Sequence, residues 1–192
     1  MVMDTVAPWA ETAPLTADVL QLMPDHGWRY ELVQGRLVRM PLTGYEHGRI
    51  TARLTMRLQQ FIEQHPLGDV LGTETGFILS RVGELDTVLA PDAAFVSNQR
   101  APAQDASGFA RIAPDLAVEV ASPGQIRSQV DAKAQLYLAA GVRLVWILWP
   151  ETRTVDVWRE GADERVELGQ EDSLIARDVL PDLVLPLPDI FV

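Results

Sequence analysis

One apolar segment restricts the fold of this chain more than any other part of the sequence. VRLVWILW, residues 142–149, is apolar at every position from Leu144 onward. A strand with apolar side chains on both faces is typical of the centre of a sheet that is covered on both sides. The segment therefore predicts a layered α/β protein in which helices pack on a sheet.

The flanking segments supply the remaining elements. Helices are predicted for TADVLQLMPDHG with Thr16 as N-cap, for YEHGRITARLTMRLQQFIEQH, and for GQIRSQVDAKAQLYLAAG closed by Gly141. Strands are predicted for WRYELVQGRLVRM, a hairpin around Gln34-Gly35, and for GDVLGTETGFILSR, TVLAPDAAFVS, DLAVEVAS, TVDVWRE and ERVEL. This order predicts one mixed sheet in a single domain, with a polar loop at NQRAPAQDASGFARIA and the Pro-rich tail VLPDLVLPLPDIFV packed on the body in extended form.

Composition limits the classes of function. The absence of cysteine excludes a disulfide framework, a thiol nucleophile and a Cys-ligated zinc. A net charge of −11 disfavours a general nucleic-acid coat, because non-specific DNA binding depends mainly on neutralising phosphates. No apolar run approaches the roughly 20 residues of a membrane span, and the first residues lack a signal-peptide pattern, so a cytoplasmic protein without a membrane partner is expected.

A carboxylate interrupts the strand DLAVEVAS. Alternation places Leu116, Val118 and Val120 on one face of this strand. Glu119 lies on the other face between two alanines, which leaves room around its carboxylate. An unpaired buried charge is unfavourable, so either Glu119 has a partner or the strand is an exposed edge.

The only lysine of the chain lies on the apolar stripe of a predicted helix. Lys133 follows Ile126 and Val130 and precedes Tyr137 at helical spacing, whereas the other 15 of the 16 basic residues are arginines. A lysine that buries its stem and keeps its ammonium in water would explain the position, but arginine could do the same. Only lysine offers a compact ammonium, which suggests a specific role.

Two further acidic residues occupy unusual places. Asp92 follows Pro91 inside an apolar strand, where proline indicates an edge or a bulge that would re-aim the next side chain. Glu31 begins the first hairpin. Carboxylate oxygens suit Mg²⁺ or Mn²⁺, and a nearby ammonium can stabilise charge on phosphoryl oxygens. Three carboxylates and one lysine together suggest metal-assisted hydrolysis of a phosphodiester.

The segments YELVQGRLVRM, LAPDAAFV, APDLAVEVASP and VWILWPETRTVDVW, in this order, resemble the Uma2 family of restriction-endonuclease-like proteins (domain of unknown function 820). That family belongs to the PD-(D/E)XK nuclease superfamily. The resemblance covers about residues 28–160, the core of a single domain spanning 1–192. It implies a restriction-endonuclease-like αβββαβ core in a mixed α/β sheet, with a hairpin at each end and the first helix and the tail as appendages.

The resemblance also implies roles for particular residues. Asp92 matches the aspartate of the PD motif, and Glu119 matches the acidic residue of the (D/E)XK strand. Many superfamily nucleases have a lysine where this chain has Ala121; in Uma2-like sequences the lysine is relocated to the following helix, here to Lys133. Glu31 matches the family's N-terminal glutamate, which lies close to the metal or orients its ligands. We expect Mg²⁺, or Mn²⁺ in its place, to bind Asp92 and Glu119, with the Val120 carbonyl as a further ligand.

Other matching positions are less specific. His47 matches a histidine that relatives often have at the start of the second helix, and helix capping explains it as well as catalysis does. Arg36 and Trp149 stand where many relatives have an acidic residue. The stripe of Arg49, Arg53 and Arg57 could meet a phosphate backbone, although a solvated helix face explains it better.

The resulting hypothesis is a Mg²⁺-dependent endonuclease acting on nucleic acid, with DNA favoured over RNA, in a homodimer. The homodimer is suggested by nucleases that cut both strands and by the apolar tail. A non-catalytic binding or scaffold protein that retains the nuclease fold is the main alternative. A hydrolase of a small phosphorylated metabolite is a third, but GTETG lacks the lysine and spacing of a phosphate-binding loop.

Overall fold

The computed structural model describes residues 13–24, 27–101 and 107–191. The helices in this part of the chain are α1 (Ala17–Leu22), α2 (Tyr45–Gln64), α3 (Arg127–Ala139) and α4 (Leu187–Ile190). The strands are β1 (Arg29–Val33), β2 (Arg36–Met40), β3 (Gly68–Gly72), β4 (Phe77–Ile78), β5 (Val88–Leu89), β6 (Ala93–Ser97), β7 (Leu116–Val120), β8 (Leu144–Trp149), β9 (Thr154–Arg159), β10 (Val166–Leu168), β11 (Ser173–Ile175) and β12 (Val184–Pro186).

A six-stranded mixed sheet in the order β10-β9-β8-β7-β6-β3 forms the centre of the fold. β7 and β8 are parallel and are joined through α3, and the other neighbouring strands are antiparallel. Every residue of β8 is buried, as the apolar segment predicts, because α2 packs on one face of the sheet and α3 on the other. The predicted mixed α/β class is confirmed.

The expectation of a single sheet is wrong. A separate antiparallel sheet has the order β2-β1-β5-β4, and β11 pairs only with β12. The predicted strands at 68–81 and 87–97 each divide in two, because the chain turns at Glu74, whose φ is 74°, and again at Pro91. Pro91 therefore marks the passage from the small sheet to the large one instead of an edge or a bulge within one strand.

The first hairpin has the predicted turn. Gln34 and Gly35 have φ values of 48° and 74°, the left-handed conformation that a two-residue turn between antiparallel strands requires. Glycine is also needed for space, since a Cβ at Gly35 would lie 2.5 Å from the Cβ of Pro14. The hairpin fixes the direction of β1, the strand that carries Glu31.

The two apolar layers on the large sheet follow the predicted alternation of β7. Leu116, Val118 and Val120 belong to the layer shared with α2, whereas Ala117 and Ala121 belong to the layer under α3. Glu119 thus lies on the face of the sheet that α3 covers. α3 also carries Lys133, the only lysine of the chain.

The C-terminal tail packs on the body, as predicted, but it is only partly extended. It contributes β12 and α4, and Leu187 and Ile190 are fully buried in the layer beside α2. Among the described aliphatic and aromatic side chains of the tail, Val184 is exposed and the others are buried. Part of the predicted polar loop, residues 102–106, lies outside the described residues. In the described part of the chain, none of the helices combines the length and apolar character needed to cross a bilayer.

Candidate active site

Asp92 immediately precedes β6 and lies against β7. The Asp92 backbone N–H donates to the Val118 carbonyl at 2.9 Å, and the Asp92 Oδ2 accepts from the Val120 N–H at 2.8 Å. His47, near the start of α2, places its Nε2 3.1 Å from the same oxygen. The carboxylate is buried and has a fixed orientation, because a backbone donor and an imidazole both engage one of its oxygens.

Glu119 has two partners on α3. Its Oε1 lies 2.8 Å from the Lys133 ammonium and accepts the Tyr137 hydroxyl at 2.7 Å. Lys133 and Tyr137 are four residues apart, so they lie on the same face of the helix and reach the same carboxylate. Glu119 is therefore a paired strand carboxylate and not a solvated edge residue.

Glu31 approaches the same ammonium from the small sheet. Its Oε1 accepts from Lys133 at 2.9 Å and from the Ala90 N–H at 2.9 Å. Lys133 thus bridges one carboxylate on β1 and one on β7. Each of these side chains keeps 14% or less of its surface exposed, which makes the contacts stronger than surface ion pairs.

Burial shifts the acid–base properties of this group. Burial raises the pKa of Glu119 from 4.5 to about 7; the Lys133 ammonium opposes the rise, and the charges of Asp92 and Glu31 add to it. Burial alone would lower the pKa of Lys133, but Glu119 and Glu31 outweigh it and hold that pKa above its ordinary value. Burial and the Glu119 charge raise the pKa of Tyr137 well above its usual value. Lys133 is thus a permanent cation and Tyr137 a neutral hydrogen-bond donor at physiological pH.

In the presence of EDTA, we expect the free energy of unfolding to decrease as the pH rises from about 4.5 to about 7. The folded protein retains a proton on Glu119, whose pKa is about 7, that the unfolded chain has released at its ordinary value of 4.5. The expected loss is about 3 kcal/mol. Urea unfolding across this range measures it, and Glu119→Gln, which imitates the protonated acid, should give a flatter dependence. Equal slopes for the two proteins would contradict the assignment.

A cleft of about 960 Å³ opens on one side of this group. It lies between the small sheet, the end of β3 and the length of α2 from His47 to Gln59. Glu31 and Asp92 are also among its lining residues. Three residues of the group do not line the cleft: Glu119, Lys133 and Tyr137. Of these, Lys133 contacts the lining residue Glu31. A substrate in the cleft would therefore meet Glu31 and Asp92 first.

Asp92 and Glu119 are the carboxylates of this group that could bind a metal ion. Within the described residues, no three His, Asp or Glu side chains come together in a way that could hold a metal ion. Magnesium commonly uses only one or two carboxylates and completes its six ligands with water and substrate oxygens. In the same part of the chain, hydrogen bonds to Asp92 go to Oδ2 and those to Glu119 go to Oε1, so Oδ1 and Oε2 are the candidate ligand atoms. Two carboxylates with hard oxygens fit Mg²⁺.

The structure gives positions for His47, whose role the sequence left open, and for Tyr137, which the sequence did not single out. The predicted arginine stripe lies outside the site. His47 contacts Asp92 through its ring, which argues against a purely capping role. Tyr137 was not singled out, although its spacing of four from Lys133 was the available signal. The predicted arginine stripe does not line the cleft: Arg49 contacts Glu46 and Arg57 contacts Asp189.

Arg36 and Trp149, which stand where many relatives have an acidic residue, lie outside the cluster of candidate catalytic residues. Arg36 is exposed on β2. Trp149 donates its indole N–H to the fully buried Asp156 at 2.7 Å, and Arg127 stacks on its ring at 4.7 Å. Trp149 therefore belongs to a polar network around β9, which explains how an aromatic residue is accommodated there.

A family model and a solved structure are similar to this chain. The family model described as "Uma2: Putative restriction endonuclease" matches residues 17–188, nearly the whole chain. The chain belongs to the Uma2 family. A solved structure titled as a "putative nuclease belonging to DUF820" from Anabaena variabilis has a TM-score of 0.79 and 21% identity, covering 93% of this chain and 98% of that chain. At this identity the likeness shows the shared nuclease fold. No curated protein matches the chain.

The Uma2 match extends beyond the segment of about residues 28–160 on which the sequence resemblance rests. It includes α1 and reaches α4, both of which contribute buried residues to the fold. In this chain, both elements pack against the body of the fold.

Proposed function

We propose that this Uma2 protein is a Mg²⁺-dependent endonuclease that hydrolyses phosphodiester bonds of nucleic acid. The observation that supports it is the meeting of Lys133 with Glu119 and Glu31, beside an Asp92 fixed to the same strand as Glu119. A buried ammonium between two carboxylates, with a third carboxylate and a cleft beside them, is more typical of a functional site than of a structural ion pair. This arrangement suits a site that binds cations and stabilises negative charge.

Each residue has a distinct proposed role. Asp92 and Glu119 hold Mg²⁺, with the Val120 carbonyl as a further ligand; when bound, the ion activates water and polarises the phosphate. A bound divalent cation also favours the ionised form of Glu119, whose pKa of about 7 reflects burial. Glu31 accepts hydrogen bonds that fix Lys133 and Ala90, and His47 orients Asp92.

Lys133 takes the place of the lysine that many relatives of the superfamily have two residues after the strand carboxylate. Its raised pKa makes it a poor base, so we assign it to charge stabilisation and to orientation of the attacking water. Its ammonium donates to carboxylates in the absence of substrate, and phosphoryl oxygens would compete for the same donors.

A cleavage assay tests the proposal. Wild-type protein is incubated with labelled DNA and RNA in the presence of Mg²⁺, Mn²⁺ or EDTA, and we expect internal cuts only with a divalent cation. Glu119→Gln should abolish them, whereas Glu63→Gln, an exposed carboxylate on α2, should cut like wild type. Calorimetry should show Mg²⁺ binding that depends on Asp92 and Glu119. Absence of both cutting and Mg²⁺ binding would favour a scaffold protein.

DNA as the preferred substrate and a homodimer remain proposals. Val184 is exposed, but the other described aliphatic and aromatic side chains of the tail are buried, so the tail gives little support to a dimer. Comparison of labelled DNA and RNA in the same assay, together with sedimentation of the purified protein, tests both.

A further inference from the structure

The charge of the cleft is unusual for a protein that acts on nucleic acid. Among its lining residues in the described part of the chain, Arg29 is the one Arg or Lys, whereas Glu31, Glu74 and Asp92 are acidic. Proteins that grip a duplex bind its closely spaced phosphates with many cations. The cleft cannot do so, and the arginines of α2 lie outside it.

The acidic residues of the cleft are recessed. Glu31 is 3% exposed and Asp92 is 5% exposed, with His47 packed beside them. The backbone of an intact duplex follows a stiff helix and resists local entry into a recess of this kind. An unpaired strand bends freely and can carry a phosphodiester to buried groups.

The walls of the cleft offer ring surfaces. Trp28, Tyr30 and Phe109 are all lining residues. Trp28 keeps 42% of its surface exposed, and the Arg39 guanidinium lies 4.0 Å from its ring centroid. This contact restricts the indole and adds a positive charge beside it, a combination that favours stacking of nucleobases.

Phe109 is held in place by contacts from two other elements. Its backbone N–H donates to the Gln21 side chain on α1 at 3.0 Å. Arg111 pairs with Asp18 on the same helix at 2.7 Å. A Cβ at Gly76 would lie 2.4 Å from the Phe109 ring, so the ring rests directly on the Gly76 backbone. The aromatic ring therefore occupies its place in the cleft without a ligand.

We propose that the cleft binds unpaired nucleotides, whose bases stack on Trp28 and Phe109, and that single-stranded nucleic acid is preferred over an intact duplex. The inference rests on the proposed nuclease function for its ligand class. Base stacking supplies most of the binding, and few phosphates are neutralised. Because every base has a ring face, little sequence preference is expected.

Binding is measured in EDTA, so that no cleavage is needed. Fluorescence anisotropy compares a labelled single-stranded DNA, the RNA of the same sequence and the matching DNA duplex at two salt concentrations. We expect a single strand to bind at least about tenfold more tightly than the duplex. The salt dependence of single-strand binding should correspond to about one or two phosphates.

Variants of one aromatic position separate stacking from packing. Trp28→Leu should weaken single-strand binding about tenfold, and Trp28→Phe, which keeps a ring, should restore most of it. Trp158→Leu is the matched control, since Trp158 also lies under an arginine, Arg165 at 5.5 Å, but does not line the cleft. It should bind like wild type, with folding of each variant verified by circular dichroism.

The outcomes distinguish this inference from the proposed function. Equal or tighter binding of the duplex, or no effect of Trp28→Leu, would overturn the inference even if the protein cuts DNA. Single-strand binding that depends on Trp28, without cleavage in any divalent cation, would support the cleft assignment and overturn the nuclease. The RNA and DNA arms identify which polymer is the source of the unpaired nucleotides.

Discussion

Lys133→Met should lower the rate of phosphodiester cleavage by roughly two to three powers of ten. Loss of one preorganised donor that stabilises developing charge commonly has an effect of this size. Methionine has a similar length and fills the same space on α3, so the change removes the ammonium more than the packing. The initial rate in Mg²⁺, at saturating nucleic acid, is the measurement.

The same substitution leaves Glu119 and Glu31 without their shared cation. Their mutual repulsion, no longer opposed by the ammonium, should raise the pKa of Glu119 beyond about 7. We therefore expect the residual activity of Lys133→Met to require a higher pH than wild type. Breaking a buried pair typically destabilises by about 3–5 kcal/mol, so unfolding must be measured in parallel.

Lys133→Arg is the control for this experiment. It keeps the positive charge and should retain stability, but its larger guanidinium cannot occupy the same position between two carboxylates, so activity should recover only in part. A folded Lys133→Met protein that cuts as fast as wild type, with an unchanged pH profile, would remove Lys133 from the proposed mechanism.

Asp92→Asn should reduce cleavage at least about a thousandfold, because a metal ion contributes several kcal/mol to the stabilisation of the transition state. Asparagine has the same shape and can still accept from the Val120 N–H, but it lacks the charge that holds a cation. Calorimetry should show weakened Mg²⁺ binding. The loss of stability should be only about 1–2 kcal/mol, since the fold keeps most of its contacts.

Asp115→Asn provides a matched control for this substitution. Asp115 is also buried, accepts the Ser97 N–H at 2.8 Å and pairs with Arg100 at 3.1 Å, but it lies at the other end of β7. It should lose comparable stability and retain cleavage. If both variants lose activity in proportion to stability, Asp92 has no specific role.

His47 is expected to contribute less to cleavage than Lys133 or Asp92. Its Nε2 contacts the oxygen of Asp92 that also accepts the Val120 N–H, so it acts through Asp92 and not on the substrate. This is the position of a residue that orients a ligand carboxylate. The histidine at the start of α2 is thereby explained better as a positioning residue than as a cap.

Much of the large sheet was predictable because its strands have clear patterns. The apolar β8, the alternation of β7 and the turn at Gln34-Gly35 each determine local structure through a short-range physical rule. The small sheet was not predictable in this way. β4 and β5 have only two residues each, too few for an alternation to show which sheet they join.

The candidate site, like the fold, could be predicted only in part from the sequence. Glu119 and Lys133 were recognisable because each contradicts the apolar pattern of its element. Tyr137 does not contradict it: an aromatic residue on an apolar helix stripe is ordinary, and its role depends on the sheet placing Glu119 beneath it. Asp92 was recognisable as a candidate, but its position beside β7 depends on the path of the chain around Pro91, which tertiary contacts determine.

Lys133 is also the ionic link between the two sheets, because its ammonium touches β1 on one side and β7 on the other. Trp28 immediately precedes β1, so this proposed stacking residue and Glu31 belong to one hairpin. A ligand that shifts this hairpin changes the electrostatic environment of Glu119. Neutralisation of Glu119 in turn weakens the ionic contact that Lys133 makes between β7 and the hairpin. If the cleft binds nucleotides as proposed, Lys133 couples the free energy of that binding to the protonation of Glu119.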